Sequence, residues 1–406
     1  MIQSIVIAAV FCLNPSPVDR EGRVRISLFS LFKPETLSVG VASGPAAEIE
    51  ADGRVDSRLA PGQTLRVRLA GDRLNVEVIG SSGGVERSFA AATARIAAPG
   101  TATLELTLPG KLKRAVRGEV FVSPGDGDLG GQLKIVLATD RESVVASVVA
   151  AELRGERAAE AIKALAVVVR SFMLAHPGRH GEAGFDFCDT THCQLYRGEQ
   201  DLSVEAASPV IATAVAGTAG EIMSFAGRPV ESYYTASCGG LSATPEMVWG
   251  GKTDGYVHRR VSCRWCHRQR YFRWQRSADA QAIVSALAGY LGERLTDSTS
   301  IIIDKDPSSW FVRTVKLRDG IIERVLSADA FRRAIGLRLG WNTVLSPSFA
   351  LERRGARIVF RGRGFGSQIG LCLAGAVAQA AKGRSHREIL SFYFPGVNLA
   401  DGVTRE

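Results

Sequence analysis

A change of hydrophobic period, from two to about 3.6, divides this chain and restricts the folds open to it. Val24-Arg25-Ile26-Ser27-Leu28 and Thr64-Leu65-Arg66-Val67-Arg68-Leu69 place an apolar residue at every second position, the pattern of a strand with one buried face. Turn signals punctuate this region at Asp52-Gly53, Pro61-Gly62, Gly80-Ser81-Ser82-Gly83-Gly84 and Pro109-Gly110, where glycine and proline supply the backbone that a reversal needs. Residues 21–116 therefore read as a small β-rich domain. After the polar turn at residues 123–128 the pattern turns helical. Residues 143–152 carry Val144, Val145, Val148 and Val149 on one face. A second helix, ending near His176 before Pro177-Gly178, repeats Ile162, Leu165, Ala166, Val169, Phe172 and Met173 at helical spacing. Near the C-terminus one helix ends at Lys382-Gly383, and another begins at Ser385 with Glu388 completing a capping box. Strands are expected at residues 300–304 and 311–317. The fold class is α+β, with mixed helices and antiparallel strands over residues 117–403 behind the β-rich domain.

With 406 residues, 46% of them hydrophobic, the chain can bury a large core split over two or three domains. Its formal charge of +9 favours anionic partners: nucleic acid, a membrane surface or an acidic wall polymer. Arg259, Arg260, Arg264, Arg268, Arg270, Arg273 and Arg276 alternate with Trp265, Tyr271, Phe272 and Trp274. That mixture can stack on sugars or bases, or form a solvated face over core aromatics. No recognised binding module frames these arginines, so a nucleic-acid partner is not expected. Residues 5–13 are apolar but too short to span a bilayer. They read either as the core of an export signal within residues 1–20 or as a short tail packed on the first domain.

Glu152 is the first candidate for chemistry. It ends an apolar helix, where the negative pole of the helix dipole disfavours an ionised carboxylate and so favours a general acid. A solvated glutamate at a helix end fits the same position. Tyr233 and Tyr234 precede Ser237-Cys238-Gly239-Gly240. Tyrosine can stack on a sugar and bond its hydroxyls, and paired glycines admit close backbone approach; two tyrosines on a strand can equally be core. His180 with Cys188, His192 and Cys193 offers four nitrogen and sulfur ligands for a tetrahedral zinc. A Cys188–Cys193 disulfide or free thiols are the alternatives. Adjacent His192 and Cys193 reach one ion only if the backbone turns sharply there. Cys263-x2-Cys266-His267 makes a second half-site, which could join Cys188 and Cys193 in a ribbon-like arrangement. The glycines of residues 362–366 lack the βαβ context of a dinucleotide fingerprint, so no organic cofactor is expected.

Taken in order, four stretches resemble the SpoIID/LytB family over about the last two thirds of the chain. They are residues 144–175 with Glu152 and Arg170-Ser171-Phe172; Cys188 to Tyr196 downstream of His180; Glu231 to Gly240 with Glu246 and Val248-Trp249-Gly250; and Gly362 to Gly366 with Ile369-Gly370-Leu371 and Gly375. Tyr393-Phe394-Pro395-Gly396-Val397 completes the order. The resemblance implies a peptidoglycan lytic transglycosylase that cleaves between N-acetylmuramic acid and N-acetylglucosamine and leaves 1,6-anhydro ends. Glu152 would serve as acid and then base, without the second carboxylate of ordinary glycosidases; Asp186, Asp189 and Glu231 are candidates for a hydrolytic variant. Arg170, Gln194, Tyr233, Tyr234, Ser237, Cys238, Gly239 and Gly240 would hold the sugar. The resemblance further implies a structural zinc on His180, Cys188, His192 and Cys193 in some members, glycan strands stripped of stem peptides as substrate, an amidase partner, and a place in the cell envelope outside the cytoplasm. A non-catalytic module that modifies an amidase is the alternative role. Where members carry His-Gly, this chain has Ser367-Gln368.

Overall fold

The computed structural model describes residues 23–126, 130–199, 208–251 and 255–401. The apolar segment at 5–13, and Gly127 and Asp128 of the polar turn, lie outside the described residues. Two compact units emerge, one from Met1–Val148 with His176–Ser203 and one from Val149–Ala175 with Val204–Glu406. Helices and mainly antiparallel sheets make the fold α+β.

The first unit holds two sheets. One has seven strands in the order Phe187–Cys188, Arg23–Leu28, Leu133–Asp140, Glu119–Pro124, Ala94–Ala97, Ala47–Ala51 and Arg54–Leu59. All its pairings are antiparallel except that of Phe187–Cys188 with Arg23–Leu28. The other sheet has six strands, among them Thr64–Ala70 and Arg73–Ile79, paired antiparallel. The alternation read from sequence appears as burial: Leu65 and Val67 are fully buried and Arg68 is exposed. The sheets do not part at residue 116. Glu119–Pro124 and Leu133–Asp140 pair with strands of the β-rich region: the first alternates buried and open positions, and the second is buried almost throughout, as a strand covered on both faces is.

In the second unit, α2 (Ala159–Ala175) is the central helix, reached from the end of α1 (Arg141–Glu152). The six apolar positions expected on one stripe of α2 are buried, and so are Ala161, Ala164, Val167, Val168, Arg170 and Ser171. A helix buried on nearly every side needs apolar or small residues all round. A separate core gathers Trp274, Phe331, Phe349 and Phe360. Phe331 stacks on Phe349 at 5.8 Å between ring centres, and Phe349 meets Phe360 edge to face at 5.9 Å. The expected strands form as Ser300–Lys305 and Val312–Asp319, and the capping box at Ser385 and Glu388 is present. Among the described residues no helix is long and apolar enough to cross a membrane.

Candidate active site

Glu152 is the last residue of α1 and is half-buried. The hydroxyl of Tyr234 donates a hydrogen bond of 3.2 Å to its Oε1. Desolvation, and then the neighbouring carboxylate, hold the Tyr234 hydroxyl well above its ordinary pKa, so it stays protonated and keeps donating. Tyr234 is placed by a two-residue parallel pairing of Tyr234–Thr235 with Leu371–Cys372. That approach requires glycine at position 370, where a Cβ would lie 2.0 Å from the Tyr233 carbonyl oxygen. Tyr233 donates to Glu231 and packs edge-on against Phe172 and Trp249. Beyond it, Ser237 exchanges backbone hydrogen bonds with Phe365, 3.1 and 2.8 Å long. Gly239 then crosses the backbone at Gly364, where a Cβ would sit 2.6 Å from the amide nitrogen. An open cavity of about 660 Å³ begins at Cys238, Gly239 and Gly240 and is walled by Arg260, Arg264, His267, Phe272, Trp310 and Arg363.

Residues 130–225, which take in Glu152 and α2, match the family described as Stage II sporulation protein, SpoIID. Over 270 residues, 64% of this chain and 74% of the relative, the sequence is 26% identical to Stage II sporulation protein D of Bacillus amyloliquefaciens. Over 272 residues, with the same shares, it is 25% identical to the protein of that name from Bacillus subtilis. A SpoIID domain is therefore present in this chain, over residues 130–225. An uncharacterized protein of Brachyspira hyodysenteriae is 29% identical over 261 residues, 64% of this chain and 66% of its own length, just under two thirds of that relative.

Other residues singled out in the sequence take various places. Arg170 is fully buried in α2, with its guanidinium donating to the Glu221 carbonyl at 2.8 Å, so it offers no surface to a sugar. Gln194 is buried in the first unit. Asp189, in the same unit, accepts from Arg114 at 2.7 Å and from the Phe29 amide at 3.0 Å. Asp186 accepts from the Arg25 amide at 2.8 Å. Both aspartates are thus anchors of loop to sheet. The arginines at 259, 264, 268, 270 and 273 are exposed, whereas Trp274 is buried in the core. Trp265, Tyr271 and Phe272 are half-buried, and Phe272 lines the cavity with Arg260 and Arg264.

In the first unit the donor atoms of His180, Cys188, His192 and Cys193 all lie within 4.8 Å of one another. A turn closed by the Cys193 amide on the Thr190 carbonyl, 3.0 Å, supplies the sharp bend that His192 and Cys193 need. His192 Nδ1 lies 3.7 Å from Cys188 Sγ and 3.6 Å from Cys193 Sγ. Sulfur and nitrogen bound to one tetrahedral zinc are about 3.5 Å apart, so the donor set fits that ion. The hydrogen bond from Cys193, with others from Thr190 and His192, pulls the Cys188 thiol well below its ordinary pKa, while that same bond and burial push Cys193 up. Cys263 and Cys266 do not join Cys188 and Cys193. They gather with Cys238 and Cys372 in the second unit, and His267 turns its Nδ1 to the Arg264 carbonyl instead.

Three further residues belong to this framework, of which sequence reasoning passed over only His258. Cys372 completes the second thiol group. His258 is buried, and its Nε2 is 2.7 Å from the Glu231 carbonyl oxygen; desolvation lowers its pKa. Gln368 has φ 67° and its side-chain amide donates to the Cys238 carbonyl at 2.7 Å.

Proposed function

We propose that this protein is a lytic transglycosylase of peptidoglycan glycan strands, with Glu152 as the one acid and base. The observation that carries the reading is the Tyr234 hydrogen bond to Glu152, which gives the glutamate at the helix end a fixed orientation and a donor that strengthens as the carboxylate forms. The Glu152 carboxyl group protonates the glycosidic oxygen, and the bond from that oxygen to the anomeric carbon of muramic acid breaks. The 6-hydroxyl of the same sugar then bonds to that carbon and passes its proton to Glu152, which restores the starting state without water. Attack within one sugar gains from a rigidly held ring. The Gly239-Gly240 turn and the edge of Tyr233 support such a hold.

Zinc on His180, Cys188, His192 and Cys193 would be a closed structural site, since all four positions are taken by protein. The substrate we propose is glycan freed of stem peptides by an amidase partner, in the cell envelope outside the cytoplasm. The test uses glycan strands stripped of peptide, with products read by mass spectrometry. Wild type is expected to give anhydro-muramic ends, and Glu152→Gln, checked for native fold by circular dichroism, to be slower by about 10²–10⁴-fold. Reducing ends that have gained water would make the protein a hydrolase. Equal silence from both proteins would leave only the amidase-modifying role.

A further inference from the structure

Cys238, Cys263, Cys266 and Cys372 come from three separate stretches: the Cys238-Gly239-Gly240 turn, a Cys-x2-Cys loop, and the short strand that leads into the helix Leu373–Ala380. All four are buried, and their sulfurs lie within 4.8 Å of one another. Cys238 Sγ is 3.6 Å from Cys266 Sγ, which is 3.9 Å from Cys263 Sγ. Four sulfurs bound to one zinc at about 2.3 Å are separated by about 3.8 Å, the edge of the tetrahedron. A disulfide brings two sulfurs to about 2.05 Å and leaves a second pair to be satisfied elsewhere. The spacing fits a single ion.

The surroundings are suited to thiolates. The Cys238 amide points at Cys372 Sγ at 3.3 Å, and the Tyr393 hydroxyl lies 3.2 Å from Cys263 Sγ. Such outer donors orient ligand sulfurs and spread their charge. Position 375 is kept clear for this contact: a Cβ there would lie 2.0 Å from the Tyr393 hydroxyl and 3.0 Å from Cys263 Sγ. Four thiols that lose their protons to solvent on binding a divalent ion leave the site with two net negative charges. Arg264 and Arg363 line the cavity that Cys238 and Cys263 also line, and so bring positive charge to its wall, whereas Arg260 there is paired with Asp306 at 2.7 Å.

We propose that these four cysteines hold a zinc ion in a closed all-thiolate site, distinct in every ligand from the His180, Cys188, His192 and Cys193 set. An all-sulfur tetrahedron suits zinc among single divalent ions. The ion is a positioning device: it ties the glycine turn, four residues beyond Tyr234 in the chain, to the Cys-x2-Cys loop and to the strand that pairs with Tyr234–Thr235. The proposal does not rest on the transglycosylase reading, because its readouts are metal content and ligand type.

The experiment uses the full chain purified without chelator. The Cys188→Ser, Cys193→Ser double variant removes the other donor set and is expected to retain one equivalent of zinc by elemental mass spectrometry. Its zinc absorption spectrum should show a shell of sulfur alone. In wild type the same spectrum should average more sulfur per zinc than the two that Cys188 and Cys193 supply, which serves if the double variant does not fold. Cys372→His added to the double variant offers a replacement ligand and is expected to keep the zinc with three sulfurs. A folded double variant without zinc would overturn the proposal. So would a wild-type shell of no more than two sulfurs per zinc, or a non-reduced intact mass short of two hydrogens for each bridge among these four cysteines.

Discussion

Gln368 sits at φ 67°, a conformation that costs a side chain about 1–2 kcal/mol. Glycine, the residue that the family resemblance puts at this position, takes it freely. The glutamine is fully engaged. Its amide nitrogen donates to the carbonyls of Cys238 and Arg363 at 2.7 and 3.2 Å, its amide oxygen accepts from the Ser348 hydroxyl at 2.7 Å, and its backbone amide donates to Thr235. Buried groups left unpaired cost about 1–3 kcal/mol each. Gln368→Leu keeps the strain and loses the amide, so it is expected to lower unfolding stability by about 2–4 kcal/mol in a denaturant titration. Gln368→Gly loses the amide but also the strain, and should cost less than the leucine variant. A leucine variant as stable as wild type would show that the amide carries no weight. The sequence marks Ser367-Gln368 as a departure but holds no reason for it. The partners lie 130 and 20 positions away in Cys238 and Ser348, beyond any local pattern. Tyr234 is legible as a site residue for a different reason than the one observed, since its sequence context suggests stacking on a sugar and a hydrogen bond to Glu152 is found.

At the scale of elements, α2 is clipped to its neighbours by a histidine between two carboxylates. His386, at the start of the helix His386–Tyr393, has Nδ1 2.9 Å from Glu160 at the start of α2 and Nε2 3.0 Å from Glu221, the first residue of the strand Glu221–Phe225. Glu160 also accepts from the His386 amide at 2.7 Å and from Lys163 at 2.6 Å. Burial pushes the Glu160 carboxyl up, but the bonds from Lys163 and His386 outweigh it and bring it from 4.5 down to about 2. A carboxylate with a depressed folded pKa adds stability that is complete above its ordinary value and is lost as pH falls towards the folded one. Stability should therefore decline between about pH 4.5 and pH 2, and Glu160→Gln should flatten that decline while being less stable than wild type at pH 6. Thermal melts by circular dichroism across this range are the check; parallel acid profiles for the two proteins would remove Glu160 from the acid response. The helices themselves are legible in the sequence, because Ser385 and Glu388 form a local signal and α2 repeats large apolar residues. Full burial of α2 is not, since Ala161 and Ala164 weigh little in a periodicity although they admit close packing.

At the scale of the whole molecule, each compact unit contains its own group of four potential ligands: His180, Cys188, His192 and Cys193 in one, and Cys238, Cys263, Cys266 and Cys372 in the other. The first group lies within 14 residues of sequence and is legible from spacing. The second spans 134 positions from Cys238 to Cys372, and only the folded chain brings Cys372 to the Cys-x2-Cys loop. The same holds for the division of the chain. Sequence pattern assigns residues 117–140 to the C-terminal domain because the helical period starts just after them, yet their strands pair with Arg23–Leu28 and Ala94–Ala97, a choice made by long-range sheet registry. Segments with few regular hydrogen bonds depend on their ligands, whereas sheets and helices depend on burial. Removal of the zinc proposed for these two groups by a chelator is therefore expected to act locally. Amide exchange, read by mass spectrometry, should rise at residues 187–196 and 237–266. It should stay unchanged across Thr64–Ala70 and Arg73–Ile79, whose Leu65, Val67, Leu74 and Val76 are fully buried, and around Phe331 and Phe349. Uniform deprotection of both units would mean that the ions support global stability rather than loop position, and no change at either cysteine segment would mean that they support neither.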